Sequence, residues 1–254
     1  MSIVENSTFV ISRQRRIAAW LVHLFTASGA VFGLLALWAI HEARIIFAFW
    51  FMSVAVIIDA VDGVMARWAQ TKVVVPKIDG ALLDNMVDYF TYVMVPAFFL
   101  LTTDLLPPGW GVVGVSVLVL TSAFQFSLSD YKTDDHFFTG FPSYWNILVF
   151  YLFLLQMSAW ANLFVVLLFS LLIFVPIKYL YISRLDYLSP NHWLRRGVFM
   201  ATLVWGGVTA AMIIIYPKVE PLFVVISVGY AILYIVASLY RTFKPMEHLN
   251  KEGG

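Results

Sequence analysis

Long apolar stretches, each near the length that crosses a lipid bilayer, dominate this sequence. Of its 254 residues, 61% are hydrophobic and only 12% are charged, whereas soluble globular domains carry about 25% charged residues. A helix needs about 20 predominantly apolar residues to span the hydrocarbon core. The sequence therefore predicts an all-α polytopic integral membrane protein. Eight spans are predicted, at residues 17–40, 45–69, 80–103, 109–128, 144–158, 161–182, 197–215 and 221–240.

The stretch from Tyr144 to Ile182 is almost continuously apolar and has to be divided. As a single helix its 39 residues would extend about 58 Å, close to twice the thickness of a bilayer core. A tight turn is therefore predicted between Gln156 and Asn162. The alternative is a total of six or seven spans, with one segment lying at the membrane interface.

The distribution of Lys and Arg predicts the orientation in the membrane. With eight spans and a cytoplasmic N-terminus, fourteen of the 16 cationic residues lie on the cytoplasmic side, leaving Arg44 and Lys218 outside. Cytoplasmic loops of membrane proteins carry such an excess, so both termini are predicted to be cytoplasmic. Residues 1–254 are expected to form a single transmembrane domain, with 1–16 as an interfacial segment and 245–254 as a polar tail.

Four aspartates lie within two of these apolar spans. Asp59 and Asp62 are in the second span, and Asp84 and Asp88 are in the third. A carboxylate at the centre of a membrane helix costs about 2.5–3.5 kcal/mol, so four without compensation would cost about 10 kcal/mol. Spacings of three and four residues put each pair on one helix face. Asp59 and Asp88 both lie about 12 Å from the cytoplasmic ends of their helices, so the four carboxylates are predicted to converge.

A cation between the aspartates would offset this cost. Oxygen ligands suit the hard divalent ions Mg²⁺ and Mn²⁺, which bridge to phosphate groups. Intramembrane acids can instead act as proton relays or pair with Lys and Arg, but Arg67 is the one cation on this acidic stripe. Gly63, Ala66 and Gly80 flank the carboxylates and allow a ligand to approach closely. A metal site is therefore the favoured interpretation. A divalent-cation transporter is a further alternative, although the outer halves of these spans carry no acid.

The aspartates belong to a longer pattern, which reads Asp59-x2-Asp62-Gly63-x2-Ala66-Arg67-x12-Gly80-x3-Asp84-x3-Asp88. It resembles the signature of the CDP-alcohol phosphotransferase family of integral membrane enzymes, in which usually eight residues separate Arg from Gly. The longer gap here, and the eight predicted spans where other members commonly have six, resemble the bacterial phosphatidylcholine synthase branch of that family. Residues 23–29 (HLFTASG) and 141–146 (FPSYWN) add to this resemblance.

The resemblance implies an enzyme of the bacterial inner membrane whose active site faces the cytoplasm. It would transfer the phosphatidyl group of CDP-diacylglycerol to choline and release CMP; the alternative acceptors are serine, inositol and glycerol 3-phosphate. It also implies two ions, Mn²⁺ or Mg²⁺, held by the four aspartates, with Asp88 as the general base. Implied nucleotide contacts come from Thr26, Ser28, Asp62, Gly63, Ala66, Arg67 and Gly80. Membrane lipids surround such an enzyme, a homodimer is favoured, and no nucleic-acid partner is expected.

Choline carries a quaternary ammonium, which proteins bind against aromatic faces. The segment before the fifth span offers Phe141, Tyr144 and Trp145 as candidate cage residues, with Asp134 or Asp135 as a counter-charge. The alternative for these aromatic residues is interfacial anchoring, because Trp and Tyr collect at membrane interfaces. A second cytoplasmic cluster contains Tyr179, Tyr181 and Arg184. There Arg184 would either meet a lipid phosphate or serve as an interfacial anchor.

Overall fold

The computed structural model describes residues 12–128, 138–180, 185, 188–189 and 191–243, and most of them are helical. The α-helices are α1 (Arg13–His41), α2 (Ile45–Ala69), α3 (Thr71–Val74), α4 (Gly80–Asp88), α5 (Val95–Thr102), α6 (Gly111–Ser127), α7 (Trp145–Leu155), α8 (Ala159–Leu172), α9 (His192–Ile215) and α10 (Pro221–Phe243). A π-helix (Tyr89–Met94) joins α4 to α5. Two short strands, β1 (Phe138–Thr139) and β2 (Lys178–Tyr179), pair antiparallel.

Five helical stretches in the described part of the chain are long and apolar enough to cross a membrane. They are α1, α2, the continuous stretch Gly80–Thr102, α9 and α10. Helices α6, α7 and α8 are also apolar but shorter, at 17, 11 and 14 residues. Each of the predicted spans thus contains one apolar helical stretch. The prediction of an all-α, multi-pass membrane protein is confirmed at this level.

The structure divides the long apolar stretch at the predicted turn. Helix α7 is followed by Gln156 in the left-handed conformation, and Ser158 then caps α8 by accepting a hydrogen bond from the amide of Ala161. An N-cap serine satisfies one of the free amides at the start of a helix. The predicted turn between Gln156 and Asn162 is therefore confirmed.

Helix α8 is shorter than the predicted sixth span, 161–182. Helix α8 ends at Leu172, and the chain then turns into β2. The amides of Gly140 and Phe141 donate to the carbonyls of Ile177 and Leu172, both at 3.0 Å. These bonds to a distant segment satisfy the carbonyls beyond the helix end and replace the missing helical turns.

Gly140 is required by this junction between β1 and α8. Its φ is +81°, and a Cβ placed there would lie 1.9 Å from the carbonyl oxygen of Ile173. Only glycine fits a backbone approach this close. The contact ties the chain leading into α7 to the end of α8.

Helix α1 packs closely on the helices that carry the aspartates. A Cβ at Gly29 would lie 2.8 Å from Val87, and one at Gly33 would lie 2.6 Å from the Phe90 ring. Both glycines are buried within the chain, so their small-residue step serves packing inside the molecule. The helix already begins at Arg13, which places Arg13–Arg16 in its first turn. Residues 1–11 of the predicted interfacial segment and the predicted tail lie outside the described residues.

Aromatic packing fixes α2 against α5 and α7. The ring of Phe49 on α2 lies 5.3 Å, between centroids, from each of Phe99, Phe150 and Phe153. Rings that interlock in this way gain dispersion energy and have little freedom to move. The far end of α2 is thus held rigidly, which also fixes the position of its acidic end.

Candidate metal and phosphate site

Three of the four predicted aspartates meet between α2 and α4. Asp59, Asp84 and Asp88 each offer a carboxylate oxygen, and these oxygens lie within 4.8 Å of one another. Opposite ligands of one Mg²⁺ or Mn²⁺ ion stand about 4.2 Å apart, because each bond is about 2.1 Å long. Small side-chain movements would therefore bring the three oxygens into the first coordination shell of one ion. All three residues are half-buried, which leaves access for a phosphate ligand.

Asp62 lies beside this group but is not one of its three members. Its side chain is only 5% exposed, and it interacts electrostatically with Asp84 and Asp59. Thr26 of α1 lies near Asp62, and its hydroxyl donates a hydrogen bond of 3.4 Å to the carbonyl of Val22 in its own helix. Asp62 thus lies next to the three converging carboxylates and on the side of α1.

Tyr92 is a residue of this site that the sequence pattern does not indicate. Its hydroxyl donates a hydrogen bond of 2.6 Å to Oδ2 of Asp59. The side chain is 6% exposed, so the bond is shielded from water. A donor that contacts a metal-ligating carboxylate fixes the orientation of that carboxylate. Tyr92 therefore fixes the orientation of the Asp59 carboxylate.

The π-helix explains why Tyr92 is difficult to find from sequence. It begins at Tyr89, directly after Asp88, and ends just before Pro96. Proline lacks an amide donor and clashes with the preceding helical turn. A π turn accommodates this by including an extra residue, which rotates the following side chains relative to an α-helix. π-helical turns are frequent at functional sites, and here one lies against the aspartates.

A cationic groove lies at the end of α2, beginning at Ala66, one helical turn after Asp62. It has a volume of about 610 Å³ and is lined in part by Ala66, Arg67, Arg15 and Lys72. Arg67 folds back along its helix, so that its Nη1 lies 3.3 Å from the place where a Cβ would stand at Gly63. Three cations beside a group of carboxylates suit a ligand that carries both phosphate groups and metal ions. Arg15 and Lys72 were not among the predicted contacts.

The other residues predicted to contact a nucleotide lie around the same end of the site. Gly80 is the first residue of α4 and faces the ring of His23, whose Cε1 lies 3.0 Å from the position of an added Cβ. The hydroxyl of Ser28 donates to the carbonyl of Phe25 in its own helix at 2.6 Å. Ser28 therefore offers a ligand only an acceptor, and Thr26, which donates to the carbonyl of Val22, lies near Asp62.

Two of the predicted cage aromatics lie in the protein core. Trp145 is fully buried, and its indole N–H donates to Oγ of Ser122 at 2.8 Å. Phe141 packs edge-on against Trp145 and Phe169, with centroid distances of 5.2 and 4.8 Å. Neither ring presents an open face to a ligand in this structure. In this structure the two rings, which were expected to line a cage, are part of the core packing.

Tyr144 is the predicted cage residue that lies near the aspartates. Its ring is 5.9 Å from that of Tyr92, and its hydroxyl is hydrogen-bonded to Tyr234 on α10. Tyr179 is buried in β2, where burial raises the pKa of its phenol; it is an uncharged core residue. The remaining predicted residues Asp134, Asp135, Tyr181 and Arg184 lie outside the described residues.

Comparison with known proteins agrees with this geometry. A sequence model described as CDP-alcohol phosphatidyltransferase matches residues 19–177, a stretch that contains all four aspartates. The chain belongs to the CDP-alcohol phosphatidyltransferase family. It is accordingly an enzyme of the phosphatidyltransferase class, and the family's use of divalent metal ions agrees with the carboxylate group between α2 and α4. The match ends before α9 and α10, so these two helices lie beyond the part that the family model covers.

Several curated members of the CDP-alcohol phosphatidyltransferase family resemble the chain over most of its length. A protein of Legionella pneumophila named phosphatidylcholine synthase is 46% identical over 230 residues, which cover 90% of each chain. A protein of Rhizobium meliloti with the same name is 36% identical over 228 residues, covering 89% of this chain and 92% of the relative. One of Borreliella burgdorferi is 38% identical over 168 residues, covering 66% and 72%.

Proposed function

We propose that the protein is a phosphatidylcholine synthase, which transfers the phosphatidyl group of CDP-diacylglycerol to choline and releases CMP. The convergence of Asp59, Asp84 and Asp88 on one point carries this proposal, because phosphoryl transfer from a nucleotide diphosphate requires divalent ions at such a point. The relatives named phosphatidylcholine synthase support choline as the acceptor.

In the proposed reaction, Asp88 accepts the proton of the choline hydroxyl as the choline oxygen attacks the β-phosphorus. A bond forms between that oxygen and the β-phosphorus, and the bond from the β-phosphorus to the oxygen retained by CMP breaks. Two ions, Mn²⁺ or Mg²⁺, would be held by Asp59, Asp62, Asp84 and Asp88 and would stabilise the negative charge on the pyrophosphate. Tyr92 holds Asp59 in place through the 2.6 Å hydrogen bond.

The nucleotide is proposed to lie along the cationic groove. Arg67 and Lys72 would contact its phosphate groups, since guanidinium and ammonium groups bind phosphate through charge-assisted hydrogen bonds. Gly63, Ala66 and Gly80 lack bulky side chains and would let the nucleotide approach both helices. Thr26 would act from beside Asp62, near which it lies.

Choline is proposed to bind on the other side of the carboxylates, where Tyr92 and Tyr144 lie. An aromatic face attracts a quaternary ammonium without needing a hydrogen bond from it. Tyr144 is the half-buried member of this pair and so can present part of its ring to a ligand. Asp134 and Asp135 remain proposed counter-charges.

The arrangement in the membrane is also a proposal. We infer eight spans in one transmembrane domain, residues 1–254, with both termini and the active site on the cytoplasmic face of the bacterial inner membrane. The division of fourteen cations against two supports this orientation. The short helices α6, α7 and α8 would then cross the bilayer together with the non-helical residues that flank them.

The experiment that tests the function is an acceptor panel. Purified protein is incubated with CDP-diacylglycerol, Mn²⁺ and labelled choline, serine, inositol or glycerol 3-phosphate, and the lipid products are separated. Phosphatidylcholine from choline, and no comparable product from the other alcohols, is the expected result. Comparable product from serine or inositol would overturn choline as the acceptor, and divalent-cation uptake into vesicles without any lipid product would support a transporter instead.

A further inference from the structure

His23 on α1 is a buried imidazole to which no role has been assigned. It is 6% exposed, and its Nε2 atom is buried without a hydrogen-bond partner among the described residues. A neutral imidazole carries one donor and one acceptor nitrogen, and buried nitrogen atoms without partners are rare in native proteins. Ionisable residues inside membrane helices generally mark functional sites. The described residues therefore supply no hydrogen-bond partner for Nε2 of His23, and a bound ligand is a candidate for that partner.

The position of His23 suggests what its partner is. Its ring faces the first residue of α4, with Cε1 and Nδ1 at 3.0 and 3.6 Å from the place of a Cβ at Gly80. One turn further along α1, Thr26 lies near Asp62. His23 thus lies against the start of α4, where its imidazole fills the room that the missing side chain of Gly80 leaves.

We propose that His23 is a nucleotide-binding residue, whose imidazole hydrogen-bonds the cytidine diphosphate part of the lipid substrate. The inference rests on the proposed function, because it takes a CDP-linked lipid as the phosphatidyl donor. A hydrogen bond from the ligand to Nε2 would give this buried atom a partner. The free-energy cost of the unpaired atom is then removed on binding, which makes the binding free energy more favourable. The choline acceptor is not involved, since Tyr92, which is proposed to bind it, contacts Asp59 from the π-helix, and Tyr144 lies beside Tyr92.

The test compares His23→Leu with His23→Asn in the purified full-length protein. Leucine fills a similar volume without a polar atom, whereas asparagine keeps a donor and an acceptor. The affinity for CDP is measured by calorimetry in the presence of Mn²⁺, and KM is measured separately for CDP-diacylglycerol and for choline. His41→Leu is the matched control, because His41 is an exposed histidine at the other end of the same helix.

We expect His23→Leu to weaken CDP binding and to raise KM for CDP-diacylglycerol about tenfold, equivalent to about 1.4 kcal/mol. KM for choline should stay unchanged, His23→Asn should recover most of the affinity, and His41→Leu should behave as the wild type. The melting temperature of nucleotide-free His23→Leu should not fall, because no hydrogen bond at Nε2 is lost. If this variant does not fold, His23→Met provides the same comparison with a more adaptable apolar side chain.

Wild-type CDP affinity in His23→Leu would overturn the inference, and so would a lowered melting temperature with unchanged affinity, which would show a structural role. The inference and the proposed function fail separately. A wild-type protein that makes no phosphatidylcholine, while His23→Leu still loses CDP affinity, refutes the choline reaction and supports the role of His23. If the wild type makes phosphatidylcholine while the wild type and His23→Leu bind CDP equally well, the choline reaction is supported and the role of His23 is refuted.

Discussion

Replacing Tyr92 with Phe removes a single atom that contacts the aspartate site. The lost hydroxyl donates to Oδ2 of Asp59 at 2.6 Å, while the ring keeps its position 5.9 Å from Tyr144. A hydrogen bond to a charged group is worth about 1.5–3 kcal/mol. Because Tyr92 is buried, water does not readily take the place of the hydroxyl. Asp59 therefore loses the contact that orients it.

The expected effect is on metal affinity. Mutations of groups that orient metal ligands typically weaken metal binding about 10–100-fold, which corresponds to about 1.4–2.8 kcal/mol. This range agrees with the value of the lost hydrogen bond. We therefore expect the Mn²⁺ concentration for half-maximal activity to rise about 10–100-fold in Tyr92→Phe. The turnover rate at saturating Mn²⁺ should change much less, because the three carboxylates are all still present.

The assay titrates Mn²⁺ against phosphatidylcholine formation from CDP-diacylglycerol and choline in detergent micelles, with Mn²⁺ binding followed in parallel by electron paramagnetic resonance. Tyr89→Phe is the matched control. Tyr89 lies in the same π-helix, but its hydroxyl donates to the backbone carbonyl of Val119 at 3.2 Å. The control should keep the wild-type Mn²⁺ dependence. Identical Mn²⁺ curves for Tyr92→Phe and the wild type would refute the role assigned to Tyr92.

Two further predictions concern the base and the packing of the acidic helices. Asp88→Asn should retain CDP binding but lose at least about 100-fold in turnover, because general-base catalysis contributes about 10²–10⁴-fold; normal turnover would exclude Asp88 as the base. Gly33→Ala should lower the melting temperature by forcing a Cβ to 2.6 Å from Phe90, an overpacking cost of about 1–3 kcal/mol. Gly206→Ala, which meets open space, is its control and should melt at or above the wild-type temperature; equal losses in both would show that Phe90 packing is not the cause.

The aspartate site is largely predictable from sequence because its geometry is helical. Spacings of three and four residues fix which side chains share a face, and equal distances from the helix ends fix their depth in the bilayer. These two rules suffice to bring Asp59, Asp84 and Asp88 together, as the structure has them. They do not decide which three of four carboxylates share one point, since that depends on side-chain rotamers. Asp62 instead lies beside the hydroxyl of Thr26 on α1.

Features that depend on distant contacts or irregular backbone were not predictable in this way. Tyr92 reaches Asp59 through a π-helix, whose extra residue breaks the α-helical periodicity. The end of α8 depends on amides near β1, more than thirty residues earlier in the chain. Trp145 was expected at a ligand site because of its aromatic ring, but the hydroxyl of Ser122 binds its indole within the core. Residue type alone does not tell whether a tryptophan lines a ligand site or packs in the protein core.

The longer linker between Arg67 and Gly80 bears on where acceptor choice is made. It forms α3, whose Val74 is buried with Val75 against Ala19 of α1, so the added residues form an anchored wall of the groove. That wall contributes Lys72, and Arg15 lies opposite in the same groove. Cations repel a quaternary ammonium and attract phosphate, so the linker fits the nucleotide side of the proposed site. Selectivity for choline is then proposed to arise across the carboxylates, where Tyr144 lies beside Tyr92, even though the linker length first suggested choline.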